Sequence, residues 1–326
     1  MAWGIPLPFH LKQVAQSSWN GTNLPSACPL CCAPRPPRSR LRTEPFPLLE
    51  CPACGVGFLF PQPPARELAG FYDETYYGKD RKKFLAPVER GIAALTWLKW
   101  RRLRGLLQPG ARLLDIGCGR GALIQRARAA GYEAYGIERP FPGQPDLPYV
   151  FYKDLAECRF PDGHFPLVIL WHVLEHLPDP HATLEEIHRI LPPGGWLSVG
   201  VPNFGGAQAE AAGRHWFHLD LPRHLWHFRR RSLETLLEKT GFRLTRCSTF
   251  SFEYDWYGTL QSWMNRAWAD NNRLYSVLKD DPSLRGGEQA QRIAVAALLA
   301  LPALASAVWD AARRQGGTLT VTAQRT

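Results

Sequence analysis

No basic segment followed by a long apolar core opens the 326-residue chain, so no secretory leader is expected. Without one, the sequon Asn20-Gly21-Thr22 carries little meaning and the 8 cysteines are not expected to pair as disulfides. Acids are the scarcer charge, 29 against 39 Lys and Arg, which leaves a formal net charge of +10. Such a balance suits an anionic partner, nucleic acid or membrane. The basic residues are nevertheless scattered outside "KWRRLR" at 99–104 and "FRRR" at 228–231, as on a solvated surface. Charged residues are only 21% and apolar ones 45%, which excludes a disordered chain. The 29 prolines and 28 glycines fall at segment ends and form no tracts. This length supports one large domain with an accessory module, or two domains.

What is present begins with clustered thiols. "CPLC" and "CPAC" set Cys28, Cys31, Cys51 and Cys54 in a C-x2-C-x19-C-x2-C pattern, two knuckles that can offer four thiolates tetrahedrally to zinc. Cys32 adjoins the first knuckle as a competing ligand, with Cys31 better spaced. Four Cys close the coordination sphere, so a structural zinc is expected, one that orders a proline-rich segment with little core of its own.

"LLDIGCGRGALI", residues 113–124, runs a buried parallel-type strand into three glycines and then the first turn of a helix. Glycine tolerates the dihedrals of a tight turn and holds no side chain between backbone and ligand. The spacing is G-x-G-x-G with Asp115 ahead, not the G-x-G-x-x-G of NAD-binding turns. "YEAYGIERP" supplies a second strand ending at Glu138, where doubly wound folds place an acid on an unphosphorylated ribose. Asp154 follows a third strand in "YVFYKDLAECRF", and a fourth, "FPLVILW", leads into a His-rich loop.

In this order the chain resembles class I S-adenosylmethionine-dependent methyltransferases from about residue 70 to the C-terminus, with Phe165-Pro166 where "FD" is usual. The resemblance implies a doubly wound, seven-stranded Rossmann-like sheet with an antiparallel last strand. It assigns S-adenosylmethionine to Asp115, Gly117, Cys118, Gly119, Gly121, Glu138, Asp154 and Leu155. "F-x-P-Q-P", "FYDETYY" and "HLDLPRHLWHFRRRSLETLLEKTGF" resemble a bacterial subgroup with an N-terminal zinc ribbon, associated with polysaccharide, lipid-linked sugar or secondary-metabolite pathways. The division then expected is a tail at 1–26, zinc ribbon at 27–63, helical connector at 64–108 and methyltransferase domain at 109–326 with a helical insert at about 251–316. Tyr76 and Tyr77 either close over ligand or pack the ribbon onto the core.

Two histidine clusters compete to take a proton from an acceptor hydroxyl. "WHVLEHLPDP" carries His172, Glu175 and His176 at the carboxyl end of the sheet and resembles ubiquinone-biosynthesis O-methyltransferases, in which acids and a histidine hold a divalent cation; His172 stands where an acid is usual. "RHWFHLDLPRHLWHF" carries His215, His218, His224 and His227, with His224 the leading base and Arg223 a fork for an acceptor phosphate or carboxylate. Its spacing does not suggest a structural metal. No "[DN]-P-P-[FYW]" run follows strand four, so exocyclic amines are poor acceptors.

"LTRCSTF" and "GTLTVTAQR" read as the two edge strands, with a helical insert between them ending in the uncharged run 293–309. Interrupted by Pro302, that run is expected to be buried, packed in a homodimer, or laid on a membrane surface rather than to span one. The sequence thus predicts a cytoplasmic O-methyltransferase, peripheral to the inner membrane face if the run contacts lipid, acting on a sugar, lipid-linked glycan or small metabolite. A zinc-bearing RNA methyltransferase, with nucleic acid as partner, and a non-catalytic assembly module are the rival readings.

Overall fold

The computed structural model describes residues 24–41, 46–71, 86–140, 144–268, 272–278 and 287–326; Tyr76 and Tyr77 lie outside the described residues. After the first cysteine knuckle, β1 (Arg38–Leu41), β2 (Leu48–Glu50) and β3 (Gly57–Leu59) form an antiparallel meander. Helices α1 (Ala65–Ala69) and α2 (Ala86–Leu103) follow. Strand and helix then alternate: β4 (Arg112–Ile116), α3 (Ala122–Ala129), β5 (Glu133–Ile137), β6 (Val150–Phe151), α4 (Leu155–Cys158), β7 (Leu167–Trp171), α5 (Pro180–Ile190) and β8 (Trp196–Pro202). Next come α6 (Ala207–Ala212), the two-residue β9 (Trp226–His227), α7 (Arg230–Lys239) and β10 (Phe242–Ser248). Three helices, α8 (Tyr257–Trp268), α9 (Arg273–Leu278) and α10 (Gly287–Ala312), precede β11 (Thr318–Arg325).

The large sheet has seven strands in the order β10-β11-β8-β7-β4-β5-β6. Strands β4 to β8 are parallel, and β11 runs antiparallel between β8 and β10. This is the doubly wound Rossmann-like arrangement expected from the strand-helix order. The central strands lack polar alternation because both faces are covered. On one face Leu113, Leu167 and Ile169 pack with Trp100 and Ile124; on the other Leu114, Val168 and Leu170 join a second core. Each of these fully buried side chains contributes roughly 1.5 to 3 kcal/mol. Helix α5 starts where its sequence says it should: Asp179 accepts from the Ala182 N–H at 2.9 Å, and Pro180 needs no amide partner at the first position.

The ribbon does not stand apart. Strand β9, which comes from the segment carrying His224, pairs with β3 as the fourth strand of the small sheet, Gly57 opposite His227 and Phe58 opposite Trp226. The Leu59 N–H adds a bond to the Leu225 carbonyl at 3.0 Å. Outside the strand, Arg229 reaches Glu50 at 3.1 Å and Lys239 donates to the Cys31 carbonyl at 2.8 Å. Cys28, Cys51 and Cys54 belong to the same apolar core as Leu114 and Val199.

The insert has a core of its own, Leu260, Met264, Leu274, Ala296 and Ala303. Its seam to the sheet is polar but satisfied. Thr318 donates to Asp255 at 2.6 Å, the Asn203 amide to the Gly316 carbonyl at 2.7 Å, and the Gln208 amide to Thr259 at 2.8 Å. Within 293–309 the fully buried residues are Ala296, Ala303 and Ala307, with Leu299 half-buried against this core, so the apolar run is not an interior helix.

Candidate active site

The glycine turn sits at the carboxyl end of β4. Gly117, Gly119 and Gly121 all have positive φ, +72°, +55° and +74°, a region costly for any residue with a Cβ. Their surroundings differ. A Cβ on Gly117 would lie 2.1 Å from Val173 Cγ2, and one on Gly121 would lie 3.0 Å from Leu147 Cδ1, whereas one on Gly119 would meet nothing within 4 Å. Gly117 and Gly121 therefore allow close packing, and Gly119 borders open space, a cradle that a side chain would fill.

Glu138 closes one side of that cradle. Its Oε2 accepts from the Gly119 N–H at 2.7 Å and its Oε1 from the Arg139 N–H at 2.9 Å, so the carboxylate faces the turn. Asp115 is buried at the end of β4; burial and the neighbouring Glu138 push its pKa up to about 7, with Lys99 pulling the other way. A cationic ligand would favour its carboxylate. Cys118 turns its thiol inward against Gly136, and what it contributes to the turn is backbone. Asp154 is exposed at the N-cap position of α4, and Leu155 beside it is buried. This chemistry fits S-adenosylmethionine: an acid for a ribose, an anionic site for a cation, and bare backbone between them.

Next to Val173, which packs on Gly117, stands His172, held at φ +56°, a left-handed conformation rare in a side chain of this size. Its ring lies 3.7 Å, centroid to centroid, from that of Tyr254, on the π-helical turn Phe252–Trp256. Lys99 covers the group: its ammonium is 5.3 Å from the Trp171 ring, 5.1 Å from the Tyr254 ring and 2.7 Å from Glu253. Burial, then Lys99, lowers the His172 pKa to about 3, so the imidazole is neutral. Lys99, Glu253 and Tyr254 were not legible as site residues: Lys99 looked like part of a basic run, and "FEYDW" carries no motif.

Behind His172 the two histidine clusters become one. Glu175, His176 and His224 each offer a ligand atom, all within 4.8 Å of one another. Two backbone carbonyls set the histidine tautomers, because a carbonyl only accepts. His176 Nδ1 bonds the Arg223 carbonyl at 3.0 Å and His224 Nδ1 the His218 carbonyl at 2.8 Å, so both Nδ1 atoms carry hydrogen and both Nε2 atoms carry the lone pair. Glu175 is 1% exposed, and neither carboxylate oxygen has a hydrogen bond; His172 Nδ1 approaches Oε1 at 3.4 Å. Burial pushes its pKa up to about 7, and a divalent cation would remove that cost. His224 is thus drawn into a buried set rather than standing alone over the acceptor. His227 donates from Nε2 to the Leu219 carbonyl, and His218 Nε2 bonds the Tyr254 carbonyl at 3.3 Å. Both are buried and packed.

Arg223 does not offer a fork to an acceptor. Burial alone would raise the Asp220 pKa, but Arg223, bonded from Nε at 3.0 Å and from Nη2, and His224 outweigh it and hold the carboxyl well below its ordinary value. The pair braces the loop.

In the ribbon, Cys28 Sγ lies 3.9 Å from Cys54 Sγ and Cys31 Sγ 3.7 Å from Cys51 Sγ. A tetrahedron with Zn–S bonds of 2.3 Å has edges of about 3.8 Å. The Leu30 and Cys31 amides donate to Cys28 Sγ, and the Ala53 amide to Cys51 Sγ, each at 3.4 Å, which favours thiolates. Cys32 is exposed and outside the set. These four residues fit a zinc ribbon.

Residues 89–246 match a family described as a methyltransferase domain. The chain carries a class I S-adenosylmethionine-dependent methyltransferase domain. Over 145 residues it is 36% identical to the 27-O-demethylrifamycin SV methyltransferase of Amycolatopsis mediterranei, covering 39% of this chain and 52% of that protein. Over 152 residues it is 29% identical to the ubiquinone biosynthesis O-methyltransferase of Thiobacillus denitrificans, covering 43% and 63%. A SAM-dependent methyltransferase from Archaeoglobus fulgidus superposes with a TM-score of 0.46 at 19% identity, over 72% of this chain and 94% of that one. The chain spans about half the length of the relatives it matches. The methyltransferase domain holds the glycine turn, Glu138 and the His172 loop, while the cysteine knuckles lie ahead of the matched residues.

Proposed function

We propose that the protein transfers a methyl group from S-adenosylmethionine to an oxygen of a sugar, lipid-linked glycan or small metabolite. The observation that carries this is that Val173, the neighbour of a neutral His172, packs on Gly117 of the glycine turn, and that Lys99 acts on both Asp115 and His172. Relatives named for O-methylation, of rifamycin and in ubiquinone biosynthesis, support an oxygen acceptor. The cofactor, when bound, supplies an activated methyl group on a sulfonium leaving group. The protein's task is alignment, which is worth on the order of 7 to 11 kcal/mol in such displacements.

His172 is the base in this reading, because it stands next to Val173 on the glycine turn while His224 is sequestered behind it. Glu175, 3.4 Å from Nδ1, favours the tautomer that leaves Nε2 to accept the hydroxyl proton. Lys99 and Tyr254 fix the ring and exclude water from one side. His176, His224 and Glu175 would hold a divalent cation, which would balance the buried Glu175 carboxylate behind His172. The four ribbon cysteines would hold a structural zinc.

His172→Ala is expected to lower kcat by about 10²- to 10⁴-fold while leaving S-adenosylhomocysteine affinity within a few-fold, measured by calorimetry and radiolabelled methyl transfer to a glycan and metabolite panel. An unchanged kcat would remove His172 from the chemistry. Manganese added to the zinc-loaded protein is expected to give a bound paramagnetic resonance spectrum that His224→Ala loses. Identical spectra in both would remove the cation.

A further inference from the structure

Helix α10 is inside out. Its inward positions are small, Ala296, Ala303 and Ala307, with Arg292 stacked on Trp268 near its start. Five of its large apolar residues point away: Leu298 is 76% exposed, Leu301 77% and Trp309 63%, with Ile293 and Val308 also exposed, while Val295, Leu299 and Leu304 are half-buried. The exposed positions between Ile293 and Trp309 are otherwise alanines and Pro302, and no charged residue interrupts the run. A surface helix ordinarily shows solvent its polar face. Here half the circumference, over about 25 Å at 1.5 Å per residue, is apolar.

Neighbouring elements extend the patch and give it a sign. The Trp256 indole donates to the Ala300 carbonyl at 2.8 Å, and the exposed Phe252 packs on that indole with ring centroids 5.6 Å apart. The next residue, Glu253, pairs with Lys99 of α2, whose Trp97 and Leu98 are exposed beside exposed Arg101, Arg102 and Arg104. At the other end, exposed Arg313 and Arg314 come one turn after Trp309, past Asp310 and two alanines. Apolar side chains, tryptophans at the margin and arginines beyond them are the layering of a helix lying in the headgroup region.

We infer that the outward face of α10 docks in the plane of an anionic phospholipid bilayer. A net charge of +10 disfavours self-association through this rim and favours a negative surface. A spanning geometry is excluded by the seating of the helix on α8 and by its passage into β11, which lies inside the sheet. The docking places the Lys99–Tyr254–His172 group next to the lipid, so an amphiphilic acceptor would reach it without leaving the bilayer.

The test uses the full-length, zinc-loaded protein and two vesicle types: phosphatidylcholine alone, and phosphatidylcholine with about 30% phosphatidylglycerol. The protein is expected to co-sediment at least ten-fold more with the anionic vesicles, less so in high salt. The Leu298→Glu/Leu301→Glu variant is expected to lose that binding ten-fold while keeping its circular dichroism and S-adenosylhomocysteine affinity, since both side chains are exposed. Equal sedimentation of the two proteins, or none by either, overturns the proposal. A wild-type dimer that becomes monomeric in the variant, with no vesicle binding, would assign the face to a second copy. No methyl transfer is read, so failure here leaves the catalytic reading untouched.

Discussion

Gly119→Leu is expected to abolish S-adenosylhomocysteine binding, a weakening on the order of 100-fold or more, which corresponds to about 2.7 kcal/mol or more. The cause is occupation rather than unfolding. A side chain at φ +55° costs about 1 to 2 kcal/mol of backbone strain, yet it meets no protein atom and enters the cradle that Glu138 faces. Gly117→Leu is a useful contrast, because its Cβ collides with Val173 and should cost stability as well. Calorimetric titration of Gly119→Leu, with melting temperature followed in parallel, checks this. Near-native affinity in a folded variant would mean that the ligand lies elsewhere, and the methyltransferase reading would lose its foundation.

The second large effect concerns the ribbon. Cys51→Ser is expected to take the zinc content from one per chain to none and to release β1 to β3, because closed four-thiolate sites supply roughly 10 to 16 kcal/mol of folding free energy in small fingers. Loss should travel through β9. With β3 gone, Trp226 and His227 lose their strand partner, and the loop holding His224 by its Nδ1 bond to the His218 carbonyl loosens. Hydrogen exchange should therefore speed up at 225–228 and not in β4 or β5. Methyl transfer should fall while S-adenosylhomocysteine still binds. Retained protection at 225–228 in a zinc-free variant would show that the ribbon and the loop are uncoupled.

These two predictions differ in how much of their basis was visible in the chain. The cofactor turn was legible because it is local: a buried strand, three glycines and a helix start lie within about a dozen residues, and the acid on the next strand falls where the doubly wound fold requires it. The thiol site was legible for a similar reason, since two knuckles announce themselves by spacing alone. The histidine clusters were not. His176 and His224 are far apart in sequence and meet because the 223–226 segment bonds the 175–177 turn, the Leu225 N–H to the Glu175 carbonyl at 2.8 Å and the Trp226 indole to the Leu177 carbonyl at 2.9 Å, contacts that leave no periodic signal. Arg223 looked available because Asp220, which it bonds, sits only one helical turn away with nothing in the pattern to mark the pairing. The 293–309 run showed its composition but not its orientation. Which half of a uniformly apolar helix faces inward is decided by the small residues at 296, 303 and 307, and that choice is tertiary.

Strand β9 also ties the proposed function to the supply of zinc. Because the segment carrying His224 is hydrogen-bonded into the ribbon, while the glycine turn rests on β4, β5, Val173 and Leu147, zinc shortage would, under the proposed function, split the two halves of the reaction. A chain made in zinc-poor cells would still take up the methyl donor and hold it, with no formed surface on which to receive an acceptor. It would act as a sink for the donor, and the availability of one metal would set whether the protein consumes that donor or merely stores it.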